Sequence, residues 1–283
     1  MTAAAYDDLV LRLRAAGCVF AEDEARLLFD AATGDALETL VARRVAGEPL
    51  EYVVGRADFA GIRVALDPGV FIPRQRTAYL VELAASALVS RLPSRRLVPR
   101  LLRTSAGTPQ PAVVVDLCCG SGALGLALAH GQPDIELHAA DLDPVAVACA
   151  RRNLEPIGAT VHHGDLDAPL PDRLRGRVDV IVANVPYVPS AAIALMPPES
   201  RDHEPRDTVD GGADGLDVVR RLAALAPRWL APGGRAFVET GTDQAAAAAD
   251  AFAEAGLQPH VHHDEERGAT VVAAHDARIT GAG

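Results

Sequence analysis

Residues 112–131 read AVVVDLCCGSGALGLALAHG: an apolar, β-branched run, a loop of cysteine, glycine and serine, then alanine and leucine at helical spacing. The first six residues lack polar alternation, so they suit a strand covered on both faces, as in a parallel sheet. Gly120, Gly122 and Gly125 fit G-x-G-x-x-G, a nucleotide-loop pattern that is a weak signal alone. Working outward, the same rhythm repeats. IELHAAD (135–141), ATVHHGD (159–165), VDVIVAN (178–184) and GGRAFVET (233–240) read as strands, while PVAVACARRNLE (144–155) and GLDVVRRLAALAPRWL (215–230) read as helices. QPHVHHD (258–264) and GATVVAAH (268–275) are close enough in sequence to pair as an antiparallel edge hairpin. Residues 112–283 are therefore expected to form a doubly wound, mostly parallel seven-stranded α/β sheet.

Ahead of it, apolar periodicity in YDDLVLRLRAAG, AEDEARLLFDAA and DALETLVARRVAG predicts a small helical domain over 1–55, with Gly17, Gly34 and Gly47 each expected at a helix C-terminus. ADFAGIRVALDPGVFIP alternates and contains Asp67-Pro68-Gly69, which predicts a β-hairpin over 56–75. A helix and an arginine-rich linker fill 76–111.

Composition narrows the function. The 283 residues carry a net charge of −11, and all 27 basic residues are arginine. That balance disfavours broad nucleic-acid binding, which needs a positive field; the five arginines of RLPSRRLVPRLLR (91–103) are the one local candidate for RNA contact, read here as a solvated linker. No run approaches the roughly 20 apolar residues of a membrane helix, and the N-terminus does not resemble a secretion signal, so a cytoplasmic location is expected. The four cysteines include adjacent Cys118 and Cys119 but no C-x-x-C pair. HVHHDE (260–265) has metal-ligand residue types, yet reads better as one arm of the edge hairpin, and no metal is expected.

Ligands of such sheets bind beyond the carboxyl ends of the strands, where the strand order reverses. Asp141 ends the second strand about 20 residues after the glycine loop, placed to accept from ribose hydroxyls of NAD or any adenosine-bearing cofactor. Two further acids break the tie. Asp116 lies four residues before Gly120, useful beside a cationic ligand directly or by fixing the loop's amides, and Asp165 ends the third strand, able to accept from an adenine amino group. S-adenosylmethionine carries a sulfonium and an ammonium and no phosphate, and the ordered acids favour it.

The fourth strand ends in Asn184-Val185-Pro186-Tyr187. Together with DLCCGSGALGLALA, AADLDPVAVACARRN and GDL, this tetrapeptide resembles the glutamine-amide methyltransferases that modify peptide-chain release factors. EPLEYVVGRADFAGIRVALDPGVFIPR is similar to that family's interdomain hairpin, and HEPRDTVDGGADGLDVVRRLAALAPRWLAPGGRAFVETGTDQ to its later strand–helix block, so the likeness spans most of the chain. It implies a helical bundle joined by a hairpin to a class I methyltransferase sheet. It also implies S-adenosylmethionine held by Asp116, Cys118, Cys119, Gly120, Ser121, Gly122, Asp141, Asp165, Leu166 and Asn184. The partner would be a protein bearing a target glutamine, a release factor or a related protein. The Asn184 side chain and the Val185 carbonyl would accept from the two amide N–H groups, Pro186 would fix the turn, and Tyr187 would pack on the planar amide, making Asn184 and Tyr187 the catalytic pair. The chain departs from the family at Val185 (usually proline), at Cys118-Cys119 (usually Gly-Thr) and at Gln75-Arg76 (usually proline and an acid). The residues alone leave three other readings open: an amino-group methyltransferase for adenine or cytosine, an NAD-dependent oxidoreductase, and a cofactor-binding scaffold without catalysis.

Overall fold

A computed structural model describes residues 3–91, 110–132 and 134–277; all but the first of the thirteen residues of the arginine-rich run lie outside them. Four helices come first: α1 (Ala3–Ala15), α2 (Ala21–Ala31), α3 (Gly34–Val45) and the short α4 (Leu50–Val54). They close on a small apolar core of Leu9, Leu13, Ala25, Leu28, Val41 and Val53. Gly34 opens α3 instead of ending α2, and its positive φ of 60° makes the reversal between them. The helix α4 lies within a stretch whose hairpin likeness masked it.

Strands β1 (Arg56–Phe59) and β2 (Ile62–Ala65) form the hairpin, but its turn is Ala60-Gly61 and not Asp67-Pro68-Gly69. Both turn residues have positive φ, 47° and 78°, the geometry of a tight two-residue hairpin turn. Alanine seldom adopts it, so the composition pointed to the later Asp-Pro-Gly, which is a loop.

The main sheet runs β5-β4-β3-β6-β7-β9-β8, with β3 (Ala112–Leu117), β4 (Ile135–Asp141), β5 (Thr160–His163), β6 (Val178–Ala183) and β7 (Leu230–Glu239) parallel. β8 (Gln258–Asp264) and β9 (Ala269–His275) are antiparallel to each other, and β9 is antiparallel to β7. Every residue of β3 is buried because both faces are covered. Val114, Val180, Val182 and Phe237 face α5 (Ala78–Arg91) and α6 (Ala123–Gly131). Val113, Val115, Leu117, Ile181 and Val238 face α9 (Asp217–Trp229) and α10 (Ala245–Glu254), where Trp229 and Phe252 fill the layer. The alanine-rich α10 and the short α8 (Pro198–His203) carry little periodic signal in sequence. None of the described helices is long and apolar enough to cross a membrane.

One side chain ties the hairpin to the sheet. Asn153, on α7 (Pro144–Leu154), accepts from Ala65 N at 2.9 Å, while its Nδ2 donates to Ala65 O and to Ser121 O, each at 2.9 Å. Asp116 is fully buried on β3 and accepts the Gly125 N–H at 2.9 Å, holding the start of α6 against the strand.

Two outcomes follow. Trp229 is 1% exposed and its indole donates to Asp167 at 2.8 Å; Trp229→Ala should lower unfolding free energy by about 3–5 kcal/mol in urea titration. Burial, with a smaller contribution from repulsion by Asp141, pushes the Asp116 carboxyl up to about 7 from 3.8. The folded chain therefore binds this proton more tightly than the unfolded chain, and this group's contribution to stability falls as pH rises from 3.8 to about 7. Asp116→Asn removes that titration, so its stability relative to the parent should increase across that window and level off above it, read from urea midpoints.

Candidate active site

The register Leu117↔Ala183 between β3 and β6 sets two strand ends side by side, and the loop after β3 and the turn after β6 leave from them. Between them opens a cavity of about 410 Å³, lined by Phe71 and Thr77, by Cys118–Ser121, by Asp141 and Leu142, by Asp165 and Leu166, and by Asn184, Pro186 and Arg221 among others. This is the crevice at the topological switch point that open α/β sheets use for ligands.

The loop is built to keep its amides in place. Asp141 Oδ2 accepts from Gly120 N at 2.8 Å and its Oδ1 from Asp143 N at 2.9 Å. Burial raises the Asp141 carboxyl above its ordinary range, with the two N–H groups opposing the rise. At Gly122, φ is 78° and an added Cβ would lie 2.7 Å from Leu154 Cδ1, which is itself fully buried. Cys118 has φ of 54°, a left-handed value that glycine takes without strain and that a side chain makes costly. Burial pushes both loop thiols up, with Asp116 and Asp141 adding repulsion, so these cysteines are packing groups and not thiolate nucleophiles.

Not every residue anticipated from sequence faces the cavity. Asp116 lies beneath the loop and acts through the Gly125 amide, and Gly122 is likewise outside the lining. Val185 is 2% exposed, its side chain packed in the core with Leu117, Leu166 and Val238. Packing thus restrains the turn at this position. Asp165 reaches the cavity but is already paired, its Oδ2 with Arg221 Nη2 at 2.7 Å. Arg221 sits on α9, far along the chain, and nothing in its local sequence marks it.

The turn after β6 is braced from behind. Gln244 Nε2 donates to Tyr187 O at 2.8 Å, and Val188 forms a bridge with Asp210. Gly215 permits this approach, since a Cβ there would come within 2.3 Å of Tyr187 O. The Tyr187 hydroxyl lies between Arg76 and Glu239, and burial first, then the Glu239 charge, pushes its pKa up so that the phenol stays neutral. The segment over the cavity is pinned too. Glu204 pairs with Arg74 and accepts from Ile72 N at 3.1 Å, and Glu199 on α8 pairs with Arg44 of α3 at 2.9 Å.

Among the buried oxygens in this region without a partner are Asp116 Oδ1 under the loop, Glu239 Oε2 behind Tyr187, and Thr77 Oγ1 and Asn184 Oδ1 at the cavity. A buried acceptor without a donor is costly, and a ligand N–H is the natural remedy. Among the described residues, no three metal-ligating side chains come together.

Residues 64–196 match the methyltransferase small domain. The chain is 39% identical over 220 residues to a release factor glutamine methyltransferase of Geobacter sulfurreducens, covering 77% of this chain and 69% of that protein. It is 36% identical over 220 residues to a 4-amino-L-phenylalanine/4-methylamino-L-phenylalanine methyltransferase of Streptomyces pristinaespiralis, covering 78% and 70%. Among solved structures, the hMettl16 catalytic domain in complex with MAT2A 3'UTR hairpin 6 aligns with a TM-score of 0.55 at 13% identity, covering 87% of this chain and 83% of that one, a likeness of fold. With that sheet, that glycine loop and Asn184-Val185-Pro186-Tyr187 at the end of β6, the chain belongs to the release factor glutamine methyltransferase family.

Proposed function

We propose that the protein transfers a methyl group from S-adenosylmethionine to the side-chain amide nitrogen of a glutamine in a protein, with a peptide-chain release factor as the first acceptor to test. The observation that carries this reading is the unpartnered Asn184 Oδ1, buried at the same cavity that the glycine loop, Asp141 and Asp165 enclose. An N–H donor is what that oxygen lacks.

The residues present fit the cofactor. The cavity is bounded by backbone amides held open by Asp141 and by acids at the ends of β4 and β5, and Arg221 in its lining is already paired with Asp165. Asp141 would hold the ribose hydroxyls. Asp165, with one oxygen on Arg221, keeps the other for the adenine amino group. Bound there, the cofactor supplies an electrophilic methyl carbon on a sulfonium.

An amide nitrogen is a poor nucleophile because its lone pair is delocalised into the carbonyl. Asn184 Oδ1 and the Val185 carbonyl would each accept one amide N–H, turning the lone pair toward the methyl carbon and supporting the positive charge that grows on nitrogen. Pro186 stiffens the turn that carries both acceptors. The neutral Tyr187 ring would stack on the planar amide. As the N–C bond forms, the methyl–sulfur bond breaks to leave a thioether and one amide proton passes to solvent, so positioning and electrostatics suffice and no side chain is required as a strong base.

Incubation with labelled S-adenosylmethionine and a release factor should place label on one glutamine, located by peptide mass spectrometry. Label on nucleic acid, or on free 4-amino-L-phenylalanine in place of protein, would overturn the glutamine reading. Asn184→Ala should lower kcat by about 10²–10³-fold while leaving S-adenosylhomocysteine affinity nearly unchanged; equal losses of both would assign Asn184 to the cofactor instead. Asp141→Ala should weaken S-adenosylhomocysteine binding by about tenfold or more in calorimetry, from the lost charged hydrogen bonds.

A further inference from the structure

The Tyr187 hydroxyl is held in a closed three-residue ring. Arg76 Nη2 donates to the phenolic oxygen at 2.7 Å, the hydroxyl donates to Glu239 Oε1 at 2.8 Å, and Arg76 Nε donates to that same carboxylate oxygen at 3.0 Å. Glu239 ends β7 and is 1% exposed. A carboxylate so deep is costly unless a cation reaches it, and Arg76 does so from the surface, its side chain 45% exposed. A guanidinium suits the task because its planar fork offers separate N–H groups to two acceptors. Lysine would present a point charge.

The backbone of Arg76 is fixed independently. It sits in a single 3-10 turn over Gln75–Thr77, where Thr77 N donates to Arg74 O at 3.0 Å, Gln75 donates to the Asp58 carbonyl on β1, and neighbouring Arg74 pairs with Glu204. The hairpin thus sets where the guanidinium stands, and the guanidinium sets where the phenol stands. An acid at position 76 could not close the ring. It would set a second carboxylate against Glu239 and the same hydroxyl.

Resting on the glutamine-amide reading above, we propose that Arg76 is a positioning residue for the acceptor: through Glu239 and the Tyr187 hydroxyl it fixes the ring against which the planar acceptor group packs. The Arg76 side chain is not part of the cavity lining. Its effect should therefore fall on acceptor use and not on cofactor binding.

The test uses the full chain labelled with [ζ-¹³C]tyrosine. Of four tyrosine signals, the one absent from Tyr187→Phe is Tyr187. Arg76→Gln should shift that signal and leave those of Tyr6, Tyr52 and Tyr79 in place. In the same variant kcat/KM for the acceptor should fall about 10–100-fold, as a misplaced binding surface costs, with S-adenosylhomocysteine affinity unchanged and Arg76→Lys recovering part of the loss. In a Tyr187→Phe background, Arg76→Gln should add little. An unmoved Tyr187 signal, or losses that multiply in full in the double variant, would overturn the proposal. If Arg76→Gln lowers Tm, Arg76→Lys carries the same comparison. Failure of the parent protein to label any glutamine would count against the assigned reaction, whereas the Tyr187 signal reports on Arg76 whatever the acceptor.

Discussion

The pairing of β3 with β6 is the constraint on which the site depends. β3 connects outward to β4 and β5 on one side, while β6 begins the walk to β7 on the other. Neighbouring strands whose onward connections diverge leave a crevice between their loops. Because Leu117 pairs with Ala183, the glycine loop and Asn184 emerge at the same level. A slip of one residue would turn Asn184 to the opposite face and take it away from the cavity. The same register buries β3 completely, so the apolar core and the site are specified together.

Around that crevice the carboxylates are deployed according to what each can pair with. Asp116 and Asp141 are answered by backbone N–H groups, whereas Asp165, Glu204 and Glu239 are answered by Arg221, Arg74 and Arg76. Amide donors are fixed dipoles and hold loops, while arginines reach across elements and join segments distant in sequence. Beside them Asn184 Oδ1, a neutral amide acceptor, lies unpaired at the cavity. A neutral orphan suits a neutral guest, and a carboxylate in that place would have favoured an amine.

The sheet was legible because its signals are local: β-branched runs, glycine loops, and acids at strand ends recur with a regular spacing. The short helix α4, the Ala60-Gly61 turn and α10 were not, since a short helix, an alanine in left-handed conformation and a run of alanines lack distinctive patterning. At the site, Asp141, Asp165, Gly120 and Asn184 could be found from position along strands. Arg221, Glu239 and the bracing by Gln244 and Gly215 could not, because each acts through a contact that only the folded topology creates. Asp116 shows the intermediate case: its importance was visible, but its burial beneath the loop was decided by the packing of α6 on β3. Val185 is similar, a departure in sequence whose compensation lies in the core.

Asn153 gives the architecture a final property. Its single amide bonds both the hairpin strand β2 and the cofactor loop at Ser121, so the segment that leads to the helical bundle shares a fastener with the segment that would hold the nucleoside. Chimeras that graft a foreign recognition module onto this sheet would need to carry that splice intact, since a misfitted graft would slacken the catalytic half from within.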